Sequence, residues 1–355
     1  MSAKHKLKLA LRQTYARILF HTGLHRVVDR LMPRRLTILV GHSVDAPECN
    51  GHFPRDMKID GAKLEHWLKT FQRDYELVTV ADGWQRIQQP AGLSRSLLAL
   101  TMDDGYTDNR TALLPILQRL GVKATVYLEE FPLEERRLNW THKLLWTLTQ
   151  IDTDTYIRRY GELTQDRATH EKLQRAGREG RALYQLKRVL KYEAEAVDRA
   201  RTVDQIFREQ GGDERAMAER MYMSWEQARE LQAAGIELGV HTQSHAILSR
   251  LSADEQRAEI QGCQRRMAER LAAPAVTLAY PWGRRWDYNS DSCAVAEQSR
   301  FACAVTSHSG TNDARTKPME LKRIPFDEDS QLHLLVAEAC GGFDLLRKLG
   351  IDWSE

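Results

Sequence analysis

Cysteine is scarce and scattered. Cys49, Cys263, Cys293, Cys303 and Cys340 are the only five among 355 residues, and no two form a C-x-x-C step. That argues against a zinc ribbon or disulfide scaffold and fits a reducing compartment. Long apolar runs are missing too. Nothing approaches the roughly 18 consecutive apolar residues of a membrane span, and mean hydropathy is −0.54. Internal repeats and low-complexity tracts are absent. Net charge is only +3, too mild on its own to argue for nucleic acid. What is present is a globular composition, 42% hydrophobic and 28% charged. The length suits one large α/β barrel or two ordinary domains.

The charge is unevenly placed. Residues 1–35 hold nine Lys or Arg against one acid, Asp29, so this arm carries +8 and residues 36–355 carry −5. Arg12, Arg17 and Arg26 interrupt any apolar core of a secretory signal, and no small-residue cleavage site follows. Leu7, Leu11, Tyr15, Ile18, Leu19 and Leu24 recur at about helical spacing, which predicts a basic amphipathic helix ending before Pro33. Such a helix suits either an anionic membrane surface or the side of the domain. The expectation is a cytoplasmic protein in peripheral contact with the inner membrane through residues 1–35.

Apolar strands alternate with helical patterns. LTILVGHSV (36–44) reads as a buried strand ending at His42, residues 60–74 as a helix capped by Asp60, and ELVTV (76–80) as a short strand. LLALTMDDG (97–105) runs from a strand into two carboxylates, followed by a helix at 109–120 and the strand VKATVYL at 122–128. That is a βαβ unit with parallel pairing. Strand signals vanish over 130–222, where several inserted helices are expected, and resume over 223–330. Residues 331–355 read as a C-terminal helix and tail. Arg in 158–220 is interleaved with acids, as on a solvated helical face, and no nucleic-acid motif is present.

In such barrels chemistry sits at the C-terminal strand ends. Here those ends carry His42, Asp103-Asp104, His241 with His245, and Tyr280-Pro281-Trp282-Gly283. One carboxylate and two imidazoles can hold a divalent ion and leave positions open for water. A second carboxylate can then take a proton from that water. Hydrolysis of an acyl bond also needs an acid for the leaving group, and His42 is the available candidate.

LALTMDDGYTDN, GVHTQSHAILSRLS and LAYPWG resemble three motifs of the polysaccharide deacetylases, the family 4 carbohydrate esterases. The resemblance covers about 36–129 and 223–326. It implies a distorted (β/α) barrel with a helical insertion, and metal-dependent removal of acetyl groups from sugars. Asp103 then matches the general base. Asp104, His241 and His245 match the metal ligands, with Zn2+ first and Co2+ or Ni2+ as alternatives. Tyr280, Pro281, Trp282 and Gly283 match the loop lining the substrate site, and the Trp282 backbone N–H an oxyanion donor. Two departures stand out. Ala279 occupies the place of an arginine that pairs with the base, and Arg323 in LKRIPF is the expected substitute. The family's final apolar strand ending in His-Asp is missing near the C-terminus, and LTILVGH looks like its relocated equivalent. That permuted order resembles the bacterial poly-N-acetylglucosamine deacetylases and makes His42 the general acid, with His308 as competitor.

The expected substrate is an N-acetylated saccharide of bacterial surface or extracellular polysaccharide biosynthesis, with a lipid-linked saccharide among the candidates. Trp140, Trp146, Tyr156, Tyr160 and Tyr184 of the insertion are expected to pack it onto the barrel, a sugar-stacking lid being the sharper alternative. Rival functions are a barrel hydrolase or amidase on a non-sugar substrate, and a vestigial carbohydrate-binding protein. Glycosidase carboxylates sit on separate strands, which adjacent Asp103 and Asp104 do not suit.

Overall fold

A computed structural model describes residues 3–177 and 182–348. The chain divides into two compact units, Met1–Glu134 with Met221–Glu355, and Glu135–Arg220.

Among the described residues the first unit holds ten strands: β1 Leu36–Gly41, β2 Ser43–Val44, β3 Lys58–Ile59, β4 Glu76–Val78, β5 Leu97–Met102, β6 Thr125–Leu128, β7 Glu237–Val240, β8 Thr277–Ala279, β9 Cys303–Val305 and β10 Ile324–Pro325. Eight form one sheet in the order β10-β1-β5-β6-β7-β8-β9, with β4 also pairing β5. Every pairing is parallel. Helices cover the outer face, so β1 and β5 are buried along their whole length and read as unbroken apolar runs.

One short segment closes the sheet into a distorted barrel. Leu321 exchanges backbone hydrogen bonds with β9, donating to Ala304 at 2.9 Å and accepting from Thr306 at 2.8 Å. Ile324 and Pro325, a few residues on, pair with Leu39 and Val40 of β1. Arg323 lies inside this seam.

The elements differ from the sequence expectation in three instructive places. The strand expected over 36–44 breaks after Gly41, and β2 leaves the barrel to pair with β3, so His42 sits at the joint. The strand over 76–80 stops at Val78 because Thr79 caps the helix Val80–Ile87, its side chain accepting from the Asp82 amide at 3.3 Å. The arm forms two helices instead of one, α1 (Ala3–His21) and α2 (Leu24–Leu31), since Gly23 adopts a left-handed φ of 75° between them. At the other end are helices Leu332–Ala339 and Gly342–Lys348; the tail expected over 349–355 lies outside the described residues.

The second unit is helical. Its helices Trp140–Gln150, Thr153–Leu163, Arg167–Gly177, Ala182–Tyr192 and Ala196–Glu209 surround a core of their own, including Leu144, Tyr156, Tyr160, Leu173, Leu190 and Ile206. This corrects the expectation for the aromatics. Tyr156 and Tyr160 fill the unit's own interior, and Trp146 packs edge-on against Phe207 with centroids 5.0 Å apart. Tyr184 is exposed.

Candidate active site

β1, β5, β7 and β8 bring the candidate residues to one end of the barrel. β5 ends at Met102, delivering Asp103 and Asp104 into a turn where Asp104 and Gly105 both have left-handed φ, 74° and 77°. That turn breaks strand alternation, so the two neighbouring carboxylates face different partners.

Asp103 faces the seam. Its two oxygens accept from Arg323 Nη1 and Nη2 at 2.7 and 2.8 Å, a bidentate pair with both residues buried. Arg323 is itself fixed, donating from Nε to the Thr306 carbonyl at 2.8 Å and from Nη1 to Thr101 Oγ1 at 3.2 Å. Burial pushes the Asp103 carboxyl up, but the charges of Arg323, His241 and His42 outweigh it and hold the group below its ordinary value. The Asp103 amide donates to the Gly41 carbonyl at 3.0 Å, which sets His42 beside it across the strand pair.

Asp104 faces the histidines. Its Oδ2 accepts from the Tyr106 hydroxyl at 2.6 Å, while Oδ1 is buried without a hydrogen bond and lies 3.4 Å from His241 Nε2 and 3.6 Å from His245 Nε2. His241 Nδ1 donates to the Ala279 carbonyl at 2.8 Å, leaving Nε2 to present a lone pair when the ring is neutral. The two histidines do not share a helix. Thr242 and His245 have left-handed φ of 63° and 57°. Glu259, on the helix Ala253–Arg270, grips the loop between them, accepting from the amides of Gln243 and Ser244 at 3.0 and 2.9 Å. One ligand atom from each of Asp104, His241 and His245 lies within 4.8 Å of the others. An orphaned carboxylate oxygen facing two imidazole nitrogens is a donor set that fits a divalent ion such as zinc. Burial raises the Asp104 carboxyl, yet the close approach of His241 and the charges of His245 and His42 leave it well below the usual range.

The third motif is placed differently from expectation. Of Tyr280, Pro281, Trp282 and Gly283, only Trp282 is partly exposed. Its indole meets the His245 ring at 4.9 Å. The Tyr280 side chain does not line a substrate site: it is fully buried, stacks on Tyr288 at 4.6 Å and donates to Cys293 Sγ at 3.7 Å. Pro281 and Gly283 shape the backbone. Gly283 has φ +67°, and a Cβ there would lie 2.7 Å from the Ser307 amide nitrogen. The two candidate acids also separate. His42 bears electrostatically on both carboxylates, whereas His308 is surrounded by Tyr288, Glu320, Lys322 and Arg285.

Besides Glu259, three contributors escaped the sequence reading. Glu129 follows β6 just as Asp103 follows β5, is buried, and keeps its proton well above the usual pH because of burial and the Asp104 charge. Listing every strand end would have found it. Tyr106 stands two residues beyond Asp104, but nothing in the pattern shows where its hydroxyl points. Asp108 is also buried. It accepts from Ser43 Oγ at 2.6 Å and the Val44 amide at 2.8 Å, anchoring the chain just past His42, and burial raises it to about 6.

Comparisons with known proteins agree with this geometry. Residues 92–136 and 205–304 match the polysaccharide deacetylase family model. The Bacillus subtilis (strain 168) protein named "Putative polysaccharide deacetylase YxkH" is 30% identical over 96 residues, 27% of this chain and 32% of that protein. The aligned stretch thus spans about a third of the curated relative. Among solved structures, Streptococcus pyogenes deacetylase PplD in complex with acetate superposes with TM-score 0.55 at 16% identity, covering 87% of this chain and 99% of that one. IcaB from Ammonifex degensii gives 0.52 at 17% identity, covering 86% and 97%. At such identities these structures establish the shared fold. The segments that match the polysaccharide deacetylase model are the ones that carry Asp103, Asp104, His241, His245 and Trp282.

Proposed function

We propose that the protein is a metal-dependent deacetylase that hydrolyses an N-acetyl group on a saccharide of bacterial surface or extracellular polysaccharide biosynthesis. The observation that carries this reading is one site holding two separately wired carboxylates: Asp103 clamped by Arg323, and Asp104 set against His241 and His245. Asp104, His241 and His245 would hold the ion, zinc first and cobalt or nickel as alternatives. The ion would polarise the acetyl carbonyl and acidify the attacking water.

The chain's own groups supply the rest. Asp103 stays ionised in a buried setting because Arg323 pairs with it, so it can accept a proton as water attacks. The guanidinium also fixes the carboxylate plane, the role left open by Ala279. The Trp282 amide, in its left-handed turn, would donate to the carbonyl oxygen as it gains charge. His42, beside Asp103 across the strand pair, would protonate the departing amine, leaving acetate and a free amino sugar. A vestigial binding protein would have no need of a buried ion pair behind its carboxylate, a costly arrangement without an orienting role.

The basic arm supports a lipid-linked saccharide met at an anionic membrane face, and the five cysteines, none in a disulfide, fit a cytoplasmic setting. No helix among the described residues is long and apolar enough to cross a membrane. Acetate release from a panel of N-acetylated oligosaccharides, with His42→Ala beside His308→Ala, tests the assignment. The expected result is loss of about 10²-fold or more only in His42→Ala. Equal rates in that variant and the wild type would remove His42 from the mechanism.

A further inference from the structure

Of the ten large apolar side chains strongly exposed among the described residues, seven fall between Leu7 and Leu31. This concentration does not come from a loosely attached arm. One side of α1 is well packed: Ala16 and Leu19 are buried against Ala337, Cys340 and Phe343, and the Tyr15 hydroxyl donates to the Gly342 carbonyl at 3.1 Å. Arg12 pairs with buried Glu338. α2 is tied down through buried His25, whose Nδ1 donates to the Leu19 carbonyl at 3.0 Å, and through Arg26, which pairs with Asp74 at 2.8 Å.

Each helix nevertheless carries a second apolar stripe. On α1, Leu7, Leu11 and Ile18 are 61%, 48% and 52% exposed, and their spacings of four and seven residues place them on one face. On α2, Leu24, Val27 and Leu31 are 45%, 49% and 81% exposed at spacings of three and four. Exposed Arg17 flanks the first stripe and exposed Arg30 the second. Residues 1–35 contain a single acid, Asp29, which is bonded to Arg35 at 3.0 Å. The outward face thus offers apolar residues and cations.

We propose that the Leu7-Leu11-Ile18 and Leu24-Val27-Leu31 stripes of α1 and α2 form a docking surface for an anionic lipid bilayer. The apolar side chains would enter the acyl boundary while Arg17 and Arg30 meet headgroup phosphates. A second copy of this chain is the less suitable occupant, because it would bring the same positive charge against these cations. The proposal takes its partner from the peripheral contact inferred above and is independent of the chemistry at the barrel mouth.

The test is co-sedimentation of the full chain with phosphatidylcholine vesicles, with and without phosphatidylglycerol, at low and high salt. Binding is expected only to the anionic vesicles and should weaken as salt shortens the screening length. Arg17→Gln/Arg30→Gln should bind about 25-fold more weakly, at roughly a factor of five for each lost cation. Leu11→Glu/Ile18→Glu/Leu31→Glu should abolish binding. All three leucine or isoleucine sites point outward, so both variants should keep the wild-type melting temperature and acetate release from a soluble substrate. Failure of that catalytic activity in the wild type would count against the deacetylase reading and leave vesicle binding untouched. No binding by the wild type, equal binding to both vesicle types, or unchanged binding by the triple variant would overturn the proposal. So would a wild-type dimer that binds no vesicles and becomes monomeric on triple substitution.

Discussion

Asp103 and Arg323 are 220 positions apart, and their bidentate pair is the main electrostatic fact of the site. Arg323→Ala would leave a buried carboxylate unpaired, costing about 3–5 kcal/mol in a urea melt at neutral pH. The pH dependence has a definite sign. Asp103 lies below its ordinary pKa in the folded chain, so its contribution is present above the unfolded value near 3.9 and is lost as pH falls through the folded one. Arg323→Ala should flatten that acid loss, and Arg323→Lys should move the acid limb of kcat/KM upward. At Asp104, Tyr106→Phe removes the hydroxyl that orients the carboxylate and should weaken zinc affinity about 10–100-fold in a chelator competition. Residues were legible where a polar group directly follows an apolar strand, as His42, Asp103 and His241 do. Tyr280 was not, because the direction of a side chain after a strand end depends on local φ, which no hydrophobic period encodes. Glu259 was hidden for another reason: it acts from a helix 14 residues beyond His245, through the Gln243 and Ser244 amides and the Ser244 hydroxyl.

Short elements position the site more than long ones do. The seam Leu321–Pro325 joins β9 to β1 and carries Arg323 beneath Asp103, yet only two of its residues form a strand. A sequence pattern needs several alternations to register, so this closure could not be read in advance. Long features were clear: Asp60 caps the helix Gly61–Asp74 as the pattern implied, accepting from the Lys63 amide at 2.8 Å. The turn at Trp282 and Gly283 is the tightest of these short elements. Gly283→Ala would put a Cβ against the Ser307 backbone in a left-handed conformation. It should destabilise the fold by more than about 1 kcal/mol and lower the melting temperature. It should also reduce acetate release by displacing the Trp282 amide.

At the scale of the whole molecule, the charge asymmetry and the break in strand signal were visible in the sequence. The internal core of the helical unit was not, since helix periodicity shows that a face is buried but not against what. The arm was similarly ambiguous between packing and exposure, and the structure divides its apolar residues between both. Removing residues 3–31 should therefore do more than alter binding. It uncovers Ala337, Cys340 and Phe343 and takes Arg12 from Glu338, a group whose pKa burial already raises. A lower melting temperature or insoluble protein is expected from that deletion, and surface substitutions are the cleaner probe of docking.

The proposed mechanism rests on Asp104, His241 and His245 holding a catalytic ion while Asp103 serves as the base. The most direct measurement is acetate release from an N-acetylated oligosaccharide by chelator-stripped protein titrated with zinc, alongside Asp103→Asn. Activity should rise to a plateau at one zinc per chain, and Asp103→Asn should bind zinc but lose activity by about 10²-fold or more. Activity that survives stripping, or a fully active Asp103→Asn, would overturn the proposed mechanism.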